Sequence, residues 1–361
     1  MPEPTENAID YEKEMVGTVE VSDKDKLDLD ALTSWFEANV DGYAGPITYT
    51  KFKGGQSNPT YRIDTPGASY VLRRQPFGKL LPSAHAVDRE YKAMSALGPI
   101  GFPVPRTFGL CEDTDVLGSK FFVMSLADGR SLWNGALPNS SNDERREIYF
   151  AMIDTIADLH LADIDAIGMQ DFGRREDYCA RQISRWSKQY KLSETETIPE
   201  MDRLIEWLPE TIPAQHASSV VHGDYRLDNM IFHKTENRVI AVLDWELSTL
   251  GDPIADFSYL MLNWYNPADG RAGLAGLDIK ALGIPSVEEA VERYVSRTGF
   301  PVPPMEWYFS YNLFRLAGIM QGIKKRVIDG TASSSHAKQM SERVKPLVEN
   351  AYRFAQEAGL K

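Results

Sequence analysis

Residues 220–244 read Val-Val-His-Gly-Asp-Tyr-Arg-Leu-Asp-Asn-Met-Ile-Phe-His-Lys-Thr-Glu-Asn-Arg-Val-Ile-Ala-Val-Leu-Asp. Two apolar runs, Asn229 to His233 and Arg238 to Leu243, flank the polar turn Lys234-Thr235-Glu236-Asn237, which predicts a β-hairpin. Antiparallel pairing returns the chain to where it began. Asn229 at the head of the first strand and Asp244 just after the second should therefore lie side by side. Asp224, five residues ahead of Asn229, falls beside them on the preceding loop. The stretch thus predicts a cluster of two carboxylates and one amide at one end of a hairpin.

That donor set suits phosphoryl transfer. Magnesium takes hard oxygen ligands and keeps waters and substrate phosphates in its remaining positions. Asn229 and Asp244 at the strand ends can supply such oxygens. A third carboxylate that touches no metal, Asp224, can orient a hydroxyl and accept its proton. The order His222-Gly223-Asp224, Asn229, Asp244 resembles the catalytic loop and metal-binding Asp of the kinase superfamily. More closely, it resembles the aminoglycoside phosphotransferase-like family of small-molecule kinases, and within it the kinase-like modules fused to acyl-CoA dehydrogenases.

The chain has 361 residues, 43% hydrophobic and 25% charged, which fits a globular protein of two lobes. Its net charge of -13 argues against a nucleic-acid surface. No apolar run is long enough to span a bilayer, and the acidic N-terminus predicts a cytoplasmic protein. Cys111 and Cys179 stand apart and imply neither a disulfide framework nor a zinc site.

Residues 1–26 read as an arm, loose or strapped on, and an amphipathic helix follows, carrying Leu27, Leu29, Leu32, Trp35 and Phe36. Strands are predicted over Ile47 to Lys53, Asn58 to Asp64, Ser69 to Gln75, Arg106 to Cys111 and Lys120 to Leu126, with a helix over Ala84 to Leu97. Gly54-Gly55-Gln56-Ser57-Asn58 joins the first two strands as a turn whose backbone can approach phosphates. The resemblance places Arg73 where kinases carry the phosphate-holding lysine, pairs it with Glu90, and places the adenine-binding hinge at Lys120 to Gly129, with Met124 and Leu126 as binding residues. It also implies that Arg226, two residues after Asp224, faces the transferred phosphoryl group; a salt bridge to Asp228 is the other reading.

From Asp143 onward the pattern is helical: a first helix with His160 near its end, then Arg175 to Leu192, Pro199 to Leu208, a helix opened by Asp252-Pro253, then Val287 to Arg297, Met305 to Ile328 and Ala337 to Gln356. His222 is expected to pack the catalytic loop and Asp256 to brace it. Arg315 is expected to pair with an acid across the core ahead of reaching a substrate carboxylate or phosphate. Tyr178, Trp186, Tyr190 and Trp207 read either as core or as the wall of an acceptor pocket.

The resemblance implies an α+β, two-lobed protein-kinase-like fold, with a small antiparallel-sheet N-lobe over residues 27–125 and a larger, mainly helical C-lobe over 126–361. It implies an ATP- and Mg2+-dependent phosphotransferase acting on the hydroxyl of a small molecule, a hydroxyacyl-CoA or hydroxy acid ahead of an aminoglycoside, with no protein partner evident. A pseudokinase that binds nucleotide without transfer, and a metal-dependent phosphohydrolase using His222, are the alternatives.

Overall fold

The computed structural model describes residues 11–54, 58–77, 85–331 and 337–361. Eleven strands lie among these residues: β1 (Thr18–Val19), β2 (Thr48–Phe52), β3 (Thr60–Asp64), β4 (Ser69–Arg74), β5 (Thr107–Cys111), β6 (Phe121–Ser125), β7 (Arg130–Ser131), β8 (Ser219–Val221), β9 (Met230–Phe232), β10 (Val239–Val242) and β11 (Thr249–Gly251). The longer helices are α1 (Leu29–Asn39), α2 (Val87–Leu97), α3 (Asn142–Leu161), α4 (Tyr178–Ser193), α5 (Pro199–Glu210), α6 (Pro253–Met261), α7 (Val287–Thr298), α8 (Glu306–Ile328) and α9 (Val344–Glu357).

The N-lobe is an antiparallel sheet in the order β1-β2-β3-β4-β6-β5. Alternation along β3 and β6 sends Tyr61, Ile63, Phe121 and Val123 into a core shared with Leu32 and Phe36 of α1. The sheet has one more strand than the five predicted. Thr18 and Val19 pair with Phe52 and Lys51 at its edge, and Lys51 Nζ lies 2.8 Å from the Asp25 carboxylate, so this part of the arm is strapped to the lobe. A two-residue strand is too short to register as an alternating pattern. Helix α2 crosses between β5, β6 and the turn Trp245–Leu247, which carries an N-lobe element directly to the C-lobe site.

In the C-lobe, α8 is the central helix and packs against α9, α4 and α6. Caps set the helix starts. Ser141 and Glu144 form a reciprocal capping box on α3, Ser286 and Glu289 another on α7, and Asp252 accepts from the Ile254 N–H at the head of α6. The helix expected over Ala337 to Gln356 is broken: Ala337–Ser341 and Val344–Glu357 are separate, although apolar periodicity runs across the break. Tyr178 and Tyr190 belong to the C-lobe core, whereas Trp186 and Trp207 are partly buried against it.

The hairpin forms as the sequence predicts. Met230 pairs with Val242, and the Leu243 N–H donates to the Asn229 carbonyl at 2.8 Å, so the two strand ends close on each other. Short strand β7 adds to the far side of β9. Gly129 makes this contact feasible, since a Cβ there would sit 2.1 Å from the Phe232 carbonyl oxygen. No helix among the described residues is long and apolar enough to cross a membrane.

Candidate active site

The loop His222-Gly223-Asp224 leaves β8 and is fixed from behind by buried groups. Asp256, one turn into α6, accepts from the backbone N–H of His222 at 2.7 Å and of Gly223 at 2.9 Å. Burial alone would raise the pKa of Asp256, but the bonds from His160, His222 and the loop amides outweigh it and hold the carboxyl below the ordinary aspartate value. Gly223 has φ of +82°, and a Cβ there would lie 2.8 Å from the Leu247 carbonyl oxygen, so the turn needs glycine twice over.

His222 packs between Tyr225 and Trp245 with both ring nitrogens engaged. Its Nδ1 accepts from the Asp224 N–H at 3.1 Å, and its Nε2 donates to the Leu243 carbonyl at 2.9 Å. This one ring ties the loop before Asp224 to the residue before Asp244 and leaves no nitrogen for a metal, which removes His222 as the ligand that a metallohydrolase would need.

Arg315 corrects the sequence expectation. It pairs with no acid among the described residues: its Nη2 donates to the Gly223 carbonyl at 2.7 Å, and its guanidinium lies 4.9 Å from the ring centre of Tyr259. A backbone carbonyl leaves no charge signature, so the pattern could not have named this partner.

The Asp224 carboxylate is held at both oxygens. The Tyr259 hydroxyl donates to Oδ1 at 2.7 Å, and Asn229 Nδ2 donates to Oδ2 at 3.0 Å while also reaching the Asp224 carbonyl at 2.9 Å. Arg226 bridges two acids, with Nε 3.3 Å from Asp224 Oδ2 and Nη1 3.3 Å from Asp228 Oδ2. Burial would lower the Arg226 pKa, but Asp224 and Asp228 reverse the sign and keep it charged. Tyr259 was not singled out from sequence. It is signalled by its spacing, since Asp252, Asp256 and Tyr259 follow at intervals of four and three residues on one helix face.

Asp244 follows β10 in the left-handed region, with φ of +67°. There the N-lobe meets it: Arg73, on β4, donates from Nη2 to Asp244 Oδ1 at 2.7 Å and from Nε to Glu90 Oε1 at 2.9 Å. Asn58 donates from Nδ2 to Glu90 at 3.1 Å and to Glu246 at 3.3 Å. Glu90, Asp244 and Glu246 present carboxylate oxygens within 4.8 Å of one another. Burial, with Asp244 adding to it, pushes the Glu90 carboxyl up to about 7 against the pull of Arg73. Burial and the Asp244 and Glu90 charges push Glu246 up to about 8. The same carboxylates hold Arg73 charged despite its burial.

The remaining expected residues are placed as follows. Gly54 follows β2 beside the Met15 carbonyl, whereas Gly55, Gln56 and Ser57 lie outside the described residues. Met124 pairs with Val71 in the sheet, and the Leu126 N–H donates to the Ser69 carbonyl at 3.4 Å. The structure thus brings Asp224, Arg226, Asn229 and Tyr259 into one group and Asn58, Arg73, Glu90, Asp244 and Glu246 into another. Leu243 and His222 join the two.

A small antiparallel sheet over a helical lobe, with this loop and hairpin at their junction, defines a kinase-like phosphotransferase fold. Residues 48–294 match the phosphotransferase enzyme family (APH), and the chain belongs to that family. A Ralstonia eutropha crystal structure, described as a candidate aminoglycoside phosphotransferase, is 47% identical, with a TM-score of 0.84 over 92% of this chain and 99% of that one. Spectinomycin phosphotransferase, in complex with ADP and spectinomycin, shares the fold at 13% identity and a TM-score of 0.60, over 91% of this chain and 99% of that one. Among curated proteins, the mouse acyl-CoA dehydrogenase family member 10 is 41% identical over 92% of this chain, and the rat family member 11 is 38% identical over 94%. The chain spans 31% of the first and 44% of the second.

Proposed function

We propose that this chain transfers the γ-phosphoryl group of ATP to a hydroxyl of a small molecule, and that the acceptor is a hydroxyacyl-CoA or hydroxy acid. The observation that carries the reading is the Asp224 carboxylate, pinned by Tyr259 and Asn229 and facing a separate acidic cluster across the hairpin end. One carboxylate is set apart for the acceptor, and the others are grouped for a cation.

The donor set fits magnesium. Asp244 and Glu246 offer carboxylate oxygens, and Asn229 turns its amide nitrogen to Asp224, which leaves its amide oxygen for a ligand. Asn229 and Asp244 would hold the ion, and when bound it supplies positive charge against the nucleotide phosphates. Asp224 takes the acceptor proton as the new O–P bond forms and the bond from the γ-phosphorus to the bridging oxygen breaks, releasing ADP. Arg226, already charged beside Asp224, stabilises the developing charge. Asn58, Arg73 and Glu90, with the turn beginning at Gly54, order the nucleotide side.

The curated relatives support the acceptor class, since both are named as acyl-CoA dehydrogenase family members and carry a segment like this one. The test is ATP consumption with magnesium against hydroxylated acyl-CoAs, free hydroxy acids, amino sugars and choline-like alcohols, with Asp244→Ala as control. Turnover that depends on an acyl acceptor and disappears in the control is expected. The Arg73 to Asp244 bond favours one other reading, a nucleotide-binding module without transfer. Nucleotide binding that ignores magnesium, with no turnover on any acceptor, would establish it.

A further inference from the structure

Outside the cleft, an open groove of about 510 Å³ runs along the first three turns of α4. Its wall includes Arg174, Asp177, Arg181, Arg185 and Lys188. Positions 177, 181, 185 and 188 are spaced by four, four and three residues, so they form one stripe on the helix. Four of the five named groups are cationic, on a chain whose net charge is -13.

These cations are poorly compensated. Arg174 has Asp177 at 3.7 Å, but Arg181 donates only to the Arg174 and Leu250 carbonyls, and its Nη1 is buried with no hydrogen-bond partner among the described residues. Arg185 rests on the Trp186 ring, and Lys188 is exposed. Like charges four residues apart on a helix cost stability in the empty protein, as Arg181 and Arg185 do here. Arg89 of α2 adds to them. Burial lowers its pKa, Asp88 opposes the shift and the nearby Arg185 adds to it, while its Nη1 donates to the Phe172 and Ser248 carbonyls.

The groove adjoins the site through β11. Arg181 reaches the Leu250 carbonyl at 3.4 Å, and the Tyr178 ring packs so closely on Gly251 that a Cβ there would lie 2.2 Å from it. Strand β11 begins five residues after Asp244.

We infer that the α4 groove, with Arg181, Arg185 and Lys188, binds the phosphate groups of the acceptor's carrier, away from the phosphoryl group that is transferred. The inference rests on the acyl-CoA acceptor proposed above. A polyphosphorylated carrier supplies the negative charge that the groove lacks, whereas a cationic amino sugar would be repelled by it.

The probe is adenosine 3′,5′-bisphosphate, titrated calorimetrically into the full chain with the cleft blocked by saturating AMP-PNP and magnesium. Wild type should bind it saturably and bind plain adenosine not at all. The Arg185→Glu, Lys188→Glu double variant, at exposed positions, should fold normally and bind it at least tenfold more weakly. With a hydroxyacyl-CoA as acceptor, the same variant should raise KM about tenfold while leaving kcat and the KM for ATP unchanged. No saturable binding in wild type, equal binding in the variant, or an unchanged acyl-CoA KM would each overturn the groove. If bisphosphate binding is lost in the variant while wild type phosphorylates no acyl-CoA, the acceptor reading falls and the groove remains as a phosphate site.

Discussion

The two halves of the cleft are held by different physics. On the C-lobe side, the loop before Asp224 is fixed by bonds to its backbone: Asp256 on two backbone amides, His222 between an amide and a carbonyl, and Arg315 on the Gly223 carbonyl. These groups are buried and hydrogen-bonded without a ligand, although Arg315 Nε has no partner among the described residues. On the N-lobe side, Arg73 shares one charge between Glu90 and Asp244, with Glu246 close by. That side is a charge imbalance awaiting cations, and the other is a finished scaffold. The contrast teaches that the proposed base is positioned before substrate arrives, whereas the proposed nucleotide side would have to repartition its contacts on binding.

The largest effect should come from the scaffolded carboxylate. Asp224→Ala should lower kcat by about 10³-fold or more, in line with loss of a positioned acid–base group and its bond network, while thermal unfolding stays within a few degrees of wild type. Full activity in that variant would break the comparison at its centre. Next, Asp256→Ala strips two backbone amides of their acceptor, and buried unsatisfied groups cost about 1–3 kcal/mol each. Denaturant unfolding should therefore show a loss of roughly 2–5 kcal/mol. A loss below about 1 kcal/mol would mean that water or a rearranged loop replaces Asp256.

On the charged side, Arg73→Met should weaken nucleotide binding about 10- to 100-fold, the range of one or two charge-assisted bonds, as read by calorimetric titration. Smallest is a pH effect. Glu246 has its pKa raised from 4.5 to about 8, so the folded protein keeps a proton that the unfolded chain releases. Its favourable contribution is full below about pH 4.5 and is lost as pH rises towards 8. Glu246→Gln should therefore gain about 1–2 kcal/mol on wild type between pH 5 and pH 8.5 in unfolding experiments without added metal. A gain that does not change with pH would show that Glu246 is already ionised and paired at neutrality.

Much of this was legible in the sequence because it is local. The hairpin and the Asp252-Pro253 helix start each follow from residues within a turn or two of one another, whereas the brace at Asp256 reaches amides 34 and 33 residues back. The Arg73 to Glu90 pair was legible only through family spacing, since two strands and a helix must fold before it forms. What was missed lies where partners are distant or uncharged. Arg315 meets a carbonyl 92 residues away, Tyr259 shows only as a face position on a helix of apolar neighbours, and β1 is too short to alternate. Asn58 was read for its backbone near phosphates, whereas its side chain joins Glu90 and Glu246.

The hairpin also sets an order of assembly. Its strands are joined by a six-residue connection, Phe232 to Val239, and hairpins of this kind close in about 1–10 μs. The Arg73 to Asp244 bond spans 171 residues and must wait for both lobes. Asn229 and Asp244 therefore take their mutual position early in refolding, Asp224 follows once Asp256, Tyr259 and Arg315 reach its loop, and Arg73 of the N-lobe joins them when both lobes close. A fluorophore pair across Arg73 and Asp244 would time the final event of maturation, after the proposed catalytic groups are already in register.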